Sequence, residues 1–557
     1  MELKINFRFA LFLTTLLHKI IITCGDQTLS SYFVLGVPQY RNAAAEFYLA
    51  TMMRNSFQVI CRVETRRDEY YRRYYSRYIL LTKHQASVMT LDLHYKNKSS
   101  EFYSSITFES PNGRNIFGIT VVLVDKQTGY WMDSMLALPY SMFRYYQYLP
   151  WFGKYARQVI VMSAHDDNHI YVYGYEKQID EYLKPYYPSA KLNQGDYTIF
   201  SNYLCGLLTY EKEYFDGGVV IYGKKKIGAI VVACETSFHF TCKTDKTNYP
   251  LIESIDFVTH LKSVEFVVFS RLKMSTSDWP FINDELIIAT MEAPETCVTI
   301  NKEETFFLSK SYHRTITINF DYPLHVKADG LIVCYYLSKG KDCTSSMALA
   351  WLVPVELFYF SYVFSVPFPY NSTASQMRAY AILVADKDKY TSLLVDGKHA
   401  LNYRCIHNIK SVTAILVFAE KALVSDVSTT SYQVRYLKIS PGSHTASSTI
   451  HYPFGLYLYG WKDGGTFLHA AGYAIRKTSG DCTTDLGAML PGDLVDNDCD
   501  GLLDEDLRTA DGVNGQNSAA ITRRRSSLKS EAFERTTRQR LFDYGDVSSR
   551  YVAIPSC

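Results

Sequence analysis

At 557 residues the chain is long enough for several domains, and 47% hydrophobic against 20% charged residues is the balance of a folded chain, which excludes a wholly disordered one. A net charge of +2 excludes a generic polyanion binder. The 46 tyrosines and 31 phenylalanines lift the aromatic share to 15%, and with frequent Val-Ile runs they favour strands over helices.

In chain order, Met1-Glu2-Leu3-Lys4 and Arg8 lead into the apolar run Phe9 to Leu17, then Ile20-Ile21-Ile22 and Thr23-Cys24-Gly25. Basic, apolar and small residues in that order predict a secretory signal peptide over 1–25 and a secreted, extracellular protein. His18 and Lys19 interrupt the run, which leaves a signal anchor as the alternative. Taking Cys24 from the 12 cysteines leaves 11, an odd number for an oxidising compartment. Cys557, at the end of a polar tail with nothing near it to pair, is the expected odd thiol and a route to a disulfide-linked oligomer. Sequons at Asn97 and Asn371 accord with export and glycosylation.

From Ser30 to about Arg476 the pattern is short runs of Val, Ile, Tyr and Phe between Gly, Asn, Asp and Lys turns, the signature of an all-β protein. It reads as an N-terminal β region over 28–129 and a larger β domain over 130–476. A degenerate repeat runs through both. Val159–Met162 with Ile170–Val172, Leu286–Ala289 with Val298–Ile300, Ala381–Ala385 with Leu393–Val395, and more loosely Glu46 to Val63, each read as a strand, a polar turn and a returning strand. Each is followed by a second apolar run: Ile119–Leu123, Ile230–Cys234, Leu331–Cys334 and Ala414–Val417. Spacing of about 95 to 130 residues far exceeds a propeller blade, so tandem β-sandwich-like units with hairpin repeats are expected, with an irregular β-propeller as the alternative. The apolar segment Met347 to Phe368 has Glu356 beside Pro354, which suits buried strand better than a membrane span.

Three groups of side chains invite a functional reading. Arg62, Arg66, Arg67, Arg72, Arg73 and Arg77 interleave with Tyr70, Tyr71, Tyr74, Tyr75 and Tyr78. In a secreted protein this is a surface for a protein or anionic glycan partner, centred on Arg66, Arg67, Arg72, Arg73, Tyr74 and Tyr75, or a half-buried strand pair with Arg-Tyr stacking. His165-Asp166-Asp167-Asn168-His169 looks like a metal cluster but falls between two strands, where a four-residue spacing gives no shared helical face, so a solvated turn is expected. Sequence motifs for a zinc protease helix, a nucleophile elbow or a phosphate-binding loop are absent.

The third group closes the chain. Asp496-Asn497-Asp498-Cys499-Asp500-Gly501-Leu502-Leu503-Asp504-Glu505-Asp506 places Asp496, Asp498 and Asp500 at positions one, three and five of a calcium loop, the Leu502 carbonyl at seven and Asp504 at nine. Leu507 stands where the bidentate acid belongs, and Glu505, Asp506 or the upstream Asp493 is left to substitute, so the expected Ca²⁺ site is weak. A Cys482–Cys499 disulfide would close this module over 477–510, and Cys334–Cys343 is the other local pair expected; Cys61, Cys205, Cys297 and Cys405 either pair over long range or stay as buried thiols. Residues 511–557, with Arg523-Arg524-Arg525, read as a disordered basic tail.

The stretch His451-Tyr452-Pro453-Phe454-Gly455-Leu456-Tyr457-Leu458-Tyr459-Gly460-Trp461 resembles the segment that closes the IgGFc-binding protein N-terminal domain family. Leu138-Pro139-Tyr140-Ser141, Phe364-Ser365-Val366-Pro367 and Leu394-Val395-Asp396-Gly397 resemble its landmarks in the same order, and Leu490 to Gly501 is similar to the acidic element trailing the domain in invertebrate members. The resemblance spans roughly Tyr130 to Asp506. It implies a secreted, non-enzymatic binding or adhesion module with a protein or glycan partner, no nucleic acid and no membrane span. The competing classes are a disulfide-linked matrix or mucus component and a secreted hydrolase.

Overall fold

The computed structural model describes residues 28–474 except 39–42, 67–71, 94–101, 127–128, 130, 150–155, 177–180, 183–189, 201–218, 235–252, 258–262, 272–283, 291–294, 310–312, 319–321, 339–347, 369–377, 403–422, 427–429 and 463–464. The chain divides into two units, Met1–Ala474 and Ile475–Cys557, and every described strand lies in the first. The expected signal peptide, both sequons, the acidic block and the tail lie outside the described residues.

The first repeat has eight strands: β1 (Tyr32–Leu35), β2 (Ala43–Ala50), β3 (Phe57–Arg66), β4 (Arg72–Leu81), β5 (Ser87–Asp92), β6 (Phe102–Glu109), β7 (Gly118–Asp125) and β8 (Trp131–Leu136). They form two antiparallel sheets, β1-β6-β3-β4 and β5-β2-β7-β8. In β3 the period-two pattern is direct: Phe57, Val59, Cys61 and Val63 are buried while Gln58 and Arg62 are exposed, because one face looks inward. β2 and β7 are buried along their whole length, as strands covered on both faces must be. The sheets face each other as a sandwich, with Phe47 of β2 and Phe108 of β6 5.2 Å apart between ring centres.

The same wiring recurs three times. In the second repeat, Ala156–Ser163 stands for β2 and Asn168–Glu176 for β3, and a single strand, Val219–Cys234, replaces both β6 and β7. In the third, Asp284–Ala289 and Glu295–Ile300 flank Leu324–Ser338 in the same way. In the fourth the two halves separate again, as Gly442–Ser448 and Gly455–Lys462. These repeats confirm the all-β reading and tandem sandwich units, but they correct the expected hairpins. The two strands of the repeated strand-turn-strand motif do not pair with each other: Ala156–Ser163 bonds residues 227–233 of the long strand and Asn168–Glu176 bonds residues 219–223. In the first and fourth repeats the two strands belong to opposite sheets.

The crossing of the long strand is held by Asn168, which is fully buried. Its Nδ2 donates to Ser163 Oγ and to the Lys225 carbonyl, both at 3.1 Å, and its Oδ1 accepts from the Lys225 N–H at 2.8 Å. A buried amide satisfied on both ends fixes the bend at one place.

The last strands of the four repeats, β8, Glu253–Phe257, Ala348–Trp351 and Gly465–Ala470, meet in the middle of the unit. Each lies against those of its neighbours in sequence, and β8 also lies against Gly465–Ala470, so the four repeats close into a ring. Closure is the feature shared with a propeller, but the first and fourth repeats contribute two sheets each rather than one blade, and in the second and third a long strand joins the two halves. Two linkers show how successive repeats lock. After Pro139 and after Pro354 the chain makes one 3₁₀ turn and delivers a phenylalanine, Phe143 or Phe358. Those rings sit on Gly228 and Gly455 of the next repeat, where an added Cβ would lie 2.4 and 2.6 Å from ring carbon. Gly228→Ala and Gly455→Ala are each expected to lower stability by about 1 to 3 kcal/mol through overpacking, read as a lower urea midpoint at unchanged slope.

The Met347–Phe368 segment resolves into Ala348–Trp351, the turn at Val355–Leu357 and the strand Ser361–Val366, so it is strand as expected. Among the described residues, no helix is long and apolar enough to cross a membrane.

Candidate partner-binding surface

β4 pairs with β3 over ten residues, from Phe57 opposite Leu81 to Arg66 opposite Arg72, without a bulge. It ends its sheet, and among the described residues no strand pairs with its other edge. Residues 73–78 are all exposed, and alternation sends Tyr74, Tyr78 and Leu80 to one face at 70, 64 and 58% exposure. Arg73, Tyr75 and Arg77 share the other face, where Tyr75 is oriented by a hydrogen bond with Tyr103, itself anchored on the Asp92 carbonyl at 2.8 Å. Large aromatic side chains at such exposure leave apolar surface in water that a partner can cover.

The structure divides the six residues expected to form this surface. Arg73, Tyr74 and Tyr75 stand on the exposed strand. Arg66 does not: its Nε donates to Glu64 at 2.7 Å and its Nη2 to Asp196 of the second repeat at 3.2 Å, making it a staple between repeats. A β-strand alternates faces, but only the neighbouring repeat decides which arginines meet a buried carboxylate. Arg67 and the side chain of Arg72 lie outside the described residues. Arg77, Tyr78 and Leu80 complete the surface, and the signal for Tyr78 and Leu80 is their period-two spacing from Tyr74.

The histidine-rich turn is knit to its surroundings. Asp167 sits at positive φ and pairs with Lys191 at 2.5 Å, and Asp166 accepts from the Gln194 N–H at 3.0 Å. Burial, then Lys226 and Lys225, lower the pKa of His165. The expected Cys334–Cys343 bridge is corrected: Cys334 is a free thiol, 1% exposed, whose pKa burial raises far above the ordinary thiol value. It lies in the middle of Leu324–Ser338, opposite Ile288, so its strand carries the side chain into the core. Cys61 is likewise a buried thiol, pushed up to about 12 by burial. Cys297 is disulfide-bonded, and with Cys61 and Cys334 both free its partner's side chain lies outside those described. Cys482, Cys499 and the expected calcium ligands Asp496, Asp498, Asp500, Leu502, Asp504 and Glu505 lie outside the described residues as well.

Two buried polar clusters hold the ring and were not singled out by motif. At the third-to-fourth seam Arg271, 1% exposed, clasps Asp284 with both arms of its guanidinium and donates to Tyr459 Oη, while Tyr336 Oη donates to Asp284 at 2.6 Å. At the centre, Asp133 accepts the N–H groups of Ser134 at 2.7 Å, Leu349 at 3.0 Å and Leu468 at 3.4 Å, joining the first, third and fourth repeats. Beside it Ser134 Oγ meets His469 Nδ1 at 2.5 Å. The sequence signal for each is a charged or polar side chain in an otherwise apolar strand context, such as Trp131-Met132-Asp133-Ser134-Met135-Leu136.

Fold and surface together define a closed, four-repeat all-β protein with an aromatic edge strand turned to solvent. Residues 263–460 match the family model described as IgGFc binding protein, which supports that family for this part of the chain. The match opens on Ser263, the first residue of the third repeat's opening strand, and ends at Gly460 in Gly455–Lys462, the strand of the fourth that answers to β7. It is narrower than the resemblance read from sequence and covers two repeats of the four. No curated protein matches the chain. Within the matched span, Leu394-Val395-Asp396-Gly397 is a tight hairpin: Asp396 and Gly397 both have positive φ, and Val395 pairs with Lys398 across the turn.

Proposed function

We propose that this chain is a secreted extracellular protein that binds a protein partner without transforming it. The family match over residues 263–460 is the observation that carries the reading, because it is to a family of binding proteins. The contact surface we assign is β4, with Tyr74 and Tyr78 as the anchors, on the first repeat and outside the matched span. Tyrosine suits that role, since it offers a large rigid apolar face at low entropic cost. The Asp496–Glu505 block belongs to the proposal as a weak calcium site whose carboxylates would hold the ion.

The test is capture on the immobilised full chain, with purified immunoglobulin Fc and unfractionated extracellular fluid as analytes, with and without a calcium chelator. Saturable binding that falls about tenfold in Tyr74→Ser/Tyr78→Ser at unchanged melting temperature supports the reading. Chelation is expected to weaken capture if the acidic block contributes. Absence of saturable binding, or turnover of a peptide or glycan library abolished by one substitution, overturns it.

A further inference from the structure

We propose that the free edge of β4 binds an extended acidic segment of a protein partner by strand addition, a statement about mode and chemistry that rests on the binding reading above. The edge is the first ground. Among the described residues β4 pairs on one side only, over ten residues with no bulge, so its other side turns backbone N–H and C=O groups outward at every second residue, with the Leu80 carbonyl already accepting from Ser87 Oγ at 2.7 Å. The side chains are the second. Tyr74, Tyr78 and Leu80 stand in a period-two row on one face, so an incoming strand would lay alternate apolar side chains beside them as cross-strand neighbours.

Charge supplies the third ground and chooses the occupant. β4 carries Arg72, Arg73 and Arg77 and no acid, and Arg73 and Arg77 fall on the face opposite the tyrosine row. An added strand with Asp or Glu at alternate positions sets a carboxylate against the exposed Arg77 guanidinium. A second copy of this chain would instead set three arginines against three, which like-charge repulsion disfavours. A sulfated glycan could answer the charge but has no amide ladder to complete.

The experiment uses the full-length protein and a labelled nine-residue peptide of alternating Glu and Val, read by fluorescence anisotropy. Two further peptides carry N-methyl groups on every second amide, one in each phase. Saturable binding is expected, weakened about tenfold by N-methylation in one phase and little changed in the other, because only alternate amides can face the edge. Arg77→Glu is expected to weaken binding about tenfold and Arg77→Lys about threefold or less, with stronger binding at low salt. Arg77 is exposed, so the melting temperature should not move, and the peptide arms need no variant. Equal binding of both N-methylated phases, or no effect of Arg77→Glu, overturns strand addition. Displacement by a sulfated oligosaccharide with no phase effect overturns it in favour of a glycan. No peptide binding while Tyr74- and Tyr78-dependent capture persists overturns the strand mode alone; loss of both overturns the binding reading as well.

Discussion

Arg271→Met is expected to lower the stability of the described unit by about 3 to 5 kcal/mol, the largest effect of any single side chain here. The substitution removes the cation and leaves the Asp284 carboxylate buried with the Tyr336 hydroxyl as its donor from this cluster. Burial works against a charged guanidinium, yet Asp284 outweighs it and raises the pKa of Arg271, so the guanidinium keeps its charge. Arg271 follows the first strand of the third repeat, whereas Tyr459 belongs to Gly455–Lys462 of the fourth, so the loss is felt across a seam. Arg271→Met/Asp284→Leu should recover a large part of the deficit, because breaking a buried pair costs more than replacing it with apolar bulk. Urea midpoints for the single and double variants decide the matter: equal destabilisation by both would show that the cluster is not an ion pair in the sense argued.

Much of the architecture was legible because strand formation is local. Runs such as Val159–Met162 and Leu286–Ala289 are too apolar and β-branched to be anything but buried strand, and each is strand. Pairing was not legible, since which strand lies beside which is decided by contacts far apart in sequence. The apolar runs Val219–Tyr222 and Ile230–Cys234 read as two strands because Lys224-Lys225-Lys226 interrupts them, yet one bent strand runs through both, with a register shift between Tyr222 and Ile227. The fourth copy misled in another way: Ala414–Val417 lies outside the described residues, and the strand that answers to β7 there is Gly455–Lys462. In the candidate site the Arg-Tyr alternation marked the right strand pair. Separating Arg66, bound across the seam, from Arg77 on the open edge required knowing where Asp196 falls.

Acid is expected to loosen the centre of the ring, through His469. The side chain is 1% exposed on the last strand of the fourth repeat, its Nδ1 bound to Ser134 of the first and its Nε2 without a hydrogen-bond partner. Burial lowers its pKa to about 3, so the folded state holds it neutral while the unfolded chain protonates it below its ordinary value of 6.5. The unfolded state therefore binds the extra proton, and stability is lost as pH falls from 6.5 toward 3. Between pH 6.5 and 5 the loss from this one group is about 2 kcal/mol at 1.36 kcal/mol per pH unit. His469→Gln keeps a polar partner for Ser134 without a titrating ring, and its stability should fall less steeply with acid than that of the unsubstituted protein. Asp133 stands beside this pair and bonds backbone of the third and fourth repeats, so Asp133→Asn, which turns a donor toward one of those N–H groups, should cost about 2 to 4 kcal/mol at neutral pH. The two effects separate by their pH dependence. The Asp133→Asn deficit persists at pH 7, whereas the His469→Gln difference appears only in acid; identical slopes for His469→Gln and the unsubstituted chain between pH 7 and 5 would place the acid lability elsewhere.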